Sequence, residues 1–221
     1  MPFDSAQIAR LGSSWGAIGS LVATDGSANH PYLRLLAGGD RPLRDLADAA
    51  HYICVLHGRS PGVIDHARNS ARDSLEREWL DAAAEAFVGE RGYLARIVAA
   101  AGPLPSTPGH DRSEAVAHAQ RHALDMLSRS DRAGCAAGAA LALAIDWGTV
   151  RQFLNIAAGR LGLDIPRLSL PLPEETVSVV DALARQPSME RAMLFGAQQV
   201  FAQHRGLWDL LEARADARDR A

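Results

Sequence analysis

Apolar residues recur at intervals of three and four over most of this chain, and no stretch alternates with the period of two that a half-buried strand requires. The first stripe is Ile8, Leu11, Trp15, Ile18 and Val22, opened by Asp4 as a cap with Gln7 three residues on, and ended by TDGSANHP. A short turn through Tyr32 to Leu36 stops at Gly38-Gly39. Asp40 and Pro42 then open a helix with the stripe Leu43, Leu46, Ala47, Ala50, Ile53 and Cys54, closed by Gly58. Ser60-Pro61 restarts the chain as cap and first helical residue. Asp73 with Glu76 forms a second capping box ahead of a long helix to about Ala101, whose predicted buried face is Leu75, Trp79, Ala82, Ala86, Tyr93 and Ile97. Residues 102–112 form the clearest loop, and Ser113 with Glu114 starts a helix carrying Val116, Ala119, Ala123 and Leu127.

The segment from about 131 to 160 is apolar nearly all round in its first half and rich in Ala and Gly, the composition of a helix at the centre of a bundle. Residues 161–173 are extended and proline-punctuated. Pro173 with Glu174 opens a shorter helix, and Ser188 caps a last one running to about Arg214. That last helix has two apolar sides, one of Met189, Ala192, Gly196, Val200 and Leu207 and the other of Leu194, Ala197, Phe201 and Trp208. It is therefore either sandwiched or the interface of a homodimer formed through residues 189–212. Residues 213–221 are charged and unpatterned, and predict a frayed tail. The whole reads as an all-α fold, a single domain over residues 1–221 with six to eight helices around the central one.

Composition narrows the function classes. All 23 basic residues are arginine, scattered along a chain of net charge −3, so no electrostatic footprint for nucleic acid is present. Cys54 and Cys135 lie in apolar segments and read as small buried hydrophobes of a reducing compartment. The N-terminal residues lack the pattern of a secretory signal, and the apolar run of residues 133–145 is too short to span a bilayer; the expectation is a cytoplasmic protein without a membrane partner.

A polar side chain on an apolar stripe is the remaining source of chemistry, because an isolated buried carboxylate must be paired, hydrogen-bonded, protonated or bound to a metal. Asp146 shares its face with Cys135, Ala139, Ala142, Leu143, Val150, Phe153 and Ala157. Glu90 falls between Ala86 and Tyr93, His57 ends the stripe of Ile53 and Cys54, and His204 sits beside Val200, Leu207 and Leu211. His57, Glu90, Tyr93, Asp146 and His204 are the candidate pocket residues, and His57, Glu90, Asp146 and His204 the candidate metal ligands. Periodicity argues against the pair His118 and His122, which shares a face with Glu114, Arg121, Asp125 and Arg129. Asp48 and His51 have half of a di-iron spacing, but Asp48 falls off the Leu43 stripe. Ser169 and Ser178 lack the strand-turn-helix elbow of a nucleophilic serine.

The stretches HGRSPGVIDHARN at 57–69 and DRAGCAAGAALALAIDW at 131–147 resemble a bacterial family of all-helical proteins of unknown function. That resemblance implies an all-helical fold and a cytoplasmic protein, and no substrate or catalytic residue. The helix arrangement is similar in outline to haem-oxygenase-like and ferritin-like bundles, whose ligand motifs are incomplete here. Two functional expectations follow. One is a non-catalytic bundle that binds a partner or small ligand and self-associates. The other is a metal- or haem-dependent bundle oxidoreductase, with iron or haem held by the inward histidines and carboxylates.

Overall fold

The apolar run after Asp131 becomes the axis of the molecule because a helix with no polar face can be satisfied only by neighbours on every side. The protein is described by a computed structural model covering residues 13–220. Its described residues form nine α-helices: α1 (Ser13–Asp25), α2 (Pro31–Ala37), α3 (Leu43–His57), α4 (Val63–Asn69), α5 (Ser74–Ala101), α6 (His110–Ser128), α7 (Cys135–Arg160), α8 (Pro173–Ala184) and α9 (Pro187–Asp219), with a 3-10 turn at Ser27–Asn29. The count passes the expected eight because α2, read as a turn, closes seven residues of helix behind Pro31. Asp4, Gln7, Ile8 and Leu11 lie outside the described residues, and Trp15 and Ile18 are buried as predicted.

Around α7 stand α3, α4, α5, α6 and α9, with α9 making the most extensive packing against it. Glycine allows that approach. A Cβ on Gly138 of α7 would lie 2.0 Å from the Met193 carbonyl oxygen, and one on Gly196 of α9 would lie 2.1 Å from the Cys135 carbonyl oxygen. The two backbones therefore touch where any side chain would hold them apart, as small residues permit between close-packed helices. Both apolar sides of α9 are covered within the chain: Ala192, Gly196, Val200 and Leu207 are buried, and so are Ala197, Phe201 and Trp208. The helix is sandwiched, which was one of the two arrangements its pattern allowed.

Several local expectations change. Asp73 does cap α5, accepting from the Glu76 amide at 2.8 Å, but Glu76 reaches the Arg72 amide at 3.0 Å, one residue before the cap. Of the predicted face of α5, Trp79, Ala86, Tyr93 and Ile97 are buried, whereas Leu75 and Ala82 are exposed and Glu76, Ala83, Phe87, Glu90 and Leu94 turn inward as well. Pro61 does not open α4. It follows a cis peptide bond, and the helix starts at Val63 with Asp65 accepting from the Gly62 amide at 2.7 Å. The helix predicted from Ser113 begins at His110, and it turns Ser113, Ala117, Gln120 and Leu124 inward while Val116 is exposed. Alanines on both sides of α6 leave its pattern ambiguous. Gln120 goes inward because its amide donates to the Gln203 carbonyl on α9 at 3.1 Å.

The largest change is at the C-terminus. Residues 213–219, expected to fray, continue α9 as helix to Asp219. Arg214 is 2% exposed there, because the buried Asp48 on α3 needs its charge.

Candidate functional site

Four of the five candidate pocket residues come from within α5, α7 and α9, the fifth, His57, ends α3, and three of the five form one hydrogen-bonded chain. Asp146 lies in the middle of α7, facing the 3-10 turn that starts at Ser27. Gly26 offers that turn no side-chain cap, and Asp146 supplies one: its Oδ1 accepts from the Ser27 amide at 2.8 Å, and its Oδ2 accepts from the Ser27 hydroxyl. The same Oδ2 lies 2.6 Å from His204 Nδ1. His204 is fully buried, and its Nε2 lies 2.9 Å from Nε2 of His57, the last residue of α3. Trp208, one helical turn beyond His204 on α9, donates its indole N–H to the Ser27 hydroxyl at 2.8 Å.

Hydrogen-bond logic orders the protons. Asp146 accepts as a carboxylate, so His204 carries a proton on Nδ1. Its Nε2 in the neutral ring is then an acceptor, and His57 donates from Nε2. Burial, and then the neighbouring His204 ring, hold His57 well below the ordinary histidine range. The chain Ser27, Asp146, His204 and His57 is thus a fixed run of donors ending on one carboxylate, with no side chain in it more than 4% exposed.

Glu90 and Tyr93 belong to a neighbouring cluster organised by Arg151. Glu90 accepts the Trp147 indole N–H at 2.7 Å and Arg151 Nη1 at 2.8 and 2.9 Å, and Arg151 Nη2 donates to the Pro166 carbonyl at 2.6 Å. The guanidinium stands 4.2 Å over the Tyr93 ring, and the Tyr93 hydroxyl donates to Asn155 Oδ1 at 3.0 Å. This cluster ties the extended 161–173 segment to the core. Trp147 stands between the two groups, with the His57 ring edge-on to it at 5.8 Å. The buried arginine of α7 therefore balances Glu90, not Asp146.

Sequence periodicity missed a second ionic network. Asp48, placed off the stripe, is fully buried, as is Asp45. Arg214 Nε and Nη2 reach Asp48 at 2.9 and 2.8 Å, Arg218 Nη1 reaches Asp48 at 2.6 Å, and Arg218 Nη2 reaches Asp45 at 2.9 Å. Thr107 of the 102–109 connection accepts from both arginines. The available signal was spacing: two aspartates three apart on α3, and two arginines four apart in the supposed tail, each pair on one helical face.

Ser27 and Trp208 form the buried back of a cleft of about 380 Å³ that Asp25, His30, Arg205 and Asp209 also line. Arg205 binds Asp25 at 2.9 Å, and His30 Nε2 lies 3.0 Å from Asp209. Among the described residues, His30, Asp209 and Glu212 are the group of three whose ligand atoms converge as a metal site requires. The ring of His30 argues against that use. Its Nδ1 accepts from the Tyr32 amide at 3.2 Å, capping α2, so the neutral ring carries its proton on Nε2, the nitrogen a metal would need bare. His57 and His204 present two adjacent nitrogens, but Asp146 lies behind His204 and Glu90 is engaged by Arg151. Cys54 and Cys135 are free thiols, and burial raises the Cys54 thiol above its ordinary value, the reverse of an activated nucleophile.

No helix among the described residues is long and apolar enough to cross a membrane. No curated protein and no solved structure matches the chain. A family model does, over residues 22–219, a span that holds the cleft, the buried histidine chain and both ionic networks. On that match the chain belongs to the Family of unknown function (DUF6975).

Proposed function

We propose that this protein is a non-catalytic binding domain that takes a small polar ligand into the cleft between residues 24–31 and α9. The observation that carries the reading is Ser27. It stands on the cleft wall, and both its amide and its hydroxyl are held by the buried Asp146, with Trp208 fixed on the same hydroxyl. The cleft wall is thereby locked to the middle of the core, the preorganisation that lowers the ordering cost of binding. Arg205 and Asp209, one turn apart on α9, set opposite charges side by side on one wall of the cleft, which suits a zwitterion such as a free amino acid. Non-catalysis is supported by the direction of the bonds: the Ser27 hydroxyl points its proton at a carboxylate and not at a histidine base, and both imidazoles lie inside.

The test is a ligand-observed NMR screen of amino acids and of uncharged polyols against the full chain, repeated with Arg205→Gln. Saturable binding by amino acids that weakens in the variant is expected. Silence from every amino acid, or equal binding to the variant, defeats the reading.

A second reading, a metal- or haem-dependent oxidoreductase, draws on the facing Nε2 atoms of His57 and His204 with Asp146 behind His204, where a carboxylate orients a ligating imidazole. Elemental analysis and an absorbance spectrum on untagged protein decide it, and a stoichiometric metal or chromophore would replace the first reading. We also propose a cytoplasmic location in a bacterial cell, supported by the two free thiols, and self-association by way of Phe195, the large apolar side chain that α9 leaves 43% exposed. Light scattering at micromolar concentration should give a dimer mass that Phe195→Ser halves; a monomer mass at the outset removes that part.

A further inference from the structure

Away from the 24–31 cleft, the start of α3, residues 105–108 and the last turn of α9 border a second opening of about 600 Å³. Its walls are Arg44, Pro105, Ser106, Thr107, Pro108 and Arg218. The charges around it do not balance. Arg41, Arg44, Arg214 and Arg218 share three carboxylates, Asp45, Asp48 and Asp219, and Arg160 donates only to the backbone carbonyls of Gly39 and Arg41. Four guanidinium groups thus share three carboxylates, Arg160 stands nearby with none, and of the five Arg44 and Arg218 line the opening.

The acceptors on the inner side are spent. Asp45 lies between Arg41 and Arg218, and Asp48 between Arg214 and Arg218, each fully buried. The Thr107 hydroxyl accepts from both Arg214 and Arg218 and donates to the Pro105 carbonyl at 3.2 Å. Donors remain. The Arg218 side chain is 5% exposed, and its Nε has no hydrogen-bond partner, although it is buried at the cleft wall. Arg44 is half exposed, and its one acceptor is Asp219 at 2.7 Å, a carboxylate 45% exposed at the end of the helix and shared with Arg41 at 3.6 Å. A wall with surplus positive charge and an unmet N–H is complementary to an anion, and guanidinium groups match oxyanions by paired donation.

We propose that this cleft binds a phosphate group, free or esterified on a small molecule, through Arg44 and Arg218, and that Asp219 holds Arg44 until the phosphate displaces it. Phosphate fits better than carboxylate because two uncompensated positive charges and donors on two sides of the opening call for a dianion with acceptors in several directions. The site is separate from the 24–31 cleft and does not depend on the function proposed for it.

Inorganic phosphate titrated into the full chain at low ionic strength, followed by calorimetry and by ³¹P line broadening, tests the site. Saturable binding at one site is expected. Arg44→Gln should weaken it about tenfold, the loss of one charge-assisted contact. Asp219→Asn should tighten it, because the internal competitor is gone; a residue with only a structural role has no reason to give that sign. Neither variant removes a buried partner, so both fold. The proposal is overturned by the absence of saturable binding beyond that of chloride at equal ionic strength, by unchanged affinity in both variants, or by acetate binding as tightly as phosphate.

Discussion

Asp146 accepts from three donors with two oxygens, and that accounting makes it sensitive to the smallest change. Asparagine keeps one oxygen and places an NH₂ against either the Ser27 amide or the Ser27 hydroxyl and His204 Nδ1. One or two buried donors then lose their acceptor, at about 1–3 kcal/mol each. Asp146→Asn is expected to lower the unfolding free energy by that amount in urea titration, with the denaturant slope unchanged; a variant as stable as the parent would show that the carboxylate is not the anchor of the Ser27 turn. His57 adds a pH dependence. Its folded-state value is held well below the ordinary 6.5 by burial and by His204. Below 6.5 the unfolded chain therefore binds a proton that the folded one refuses, so stability is full above that pH and is lost as pH falls below it, by up to about 1.4 kcal/mol per unit. His57→Gln, which keeps a donor toward His204, should flatten that part of the slope when stability is measured from pH 7.5 to 5.

Helix pairs set the next scale. The contact of α7 with α9 rests on Gly138 and Gly196, where a Cβ would meet backbone at 2.0 and 2.1 Å. Backbone cannot rotate away as a side chain can, so Gly138→Ala must separate the two helices along their length. A loss of about 3 kcal/mol or more is expected, at the upper end of overpacking costs, read from the midpoint of thermal or urea unfolding. The α3–α9 contact is ionic instead of apolar. Arg214→Met leaves Asp48 buried with Arg218 as its remaining charged partner, and about 3 kcal/mol should be lost, as when one member of a buried pair is removed. Had residues 213–219 been a frayed tail, that substitution would cost nothing.

Across the molecule, α7 is enclosed by α3, α4, α5, α6 and α9, and nearly every side chain in its first half is buried. Its amides open only when those neighbours leave together. Native-state hydrogen exchange should therefore find the slowest amides at residues 139–154, at the free energy of global unfolding, with α8 and the 161–173 segment exchanging by smaller openings. Equal protection along the chain would deny α7 its place as the axis.

Much of this was decided by the order of residues alone. A period near 3.6 makes helices, Gly and Pro end them, and a helix with no polar side must be central, so the all-α class, the axis at α7 and the loop near 102–109 follow from local rules. The four inward polar residues, His57, Glu90, Asp146 and His204, were legible for the same reason: each breaks an apolar stripe, and all four are buried. What tertiary structure alone decided is partnership. Asp146 faces Ser27 from 119 positions away, and His204 faces His57 from 147 away. Helical spacing excludes Arg151, which lies five residues on and about 140° round the same helix from Asp146, but it cannot name the distant groups that serve instead. The C-terminal arginines show the limit most plainly. Without α3 beside them, Arg214 and Arg218 are a charged tail with no stripe, and the burial of a charge depends on an opposite charge that only the packing of distant helices brings within 3 Å.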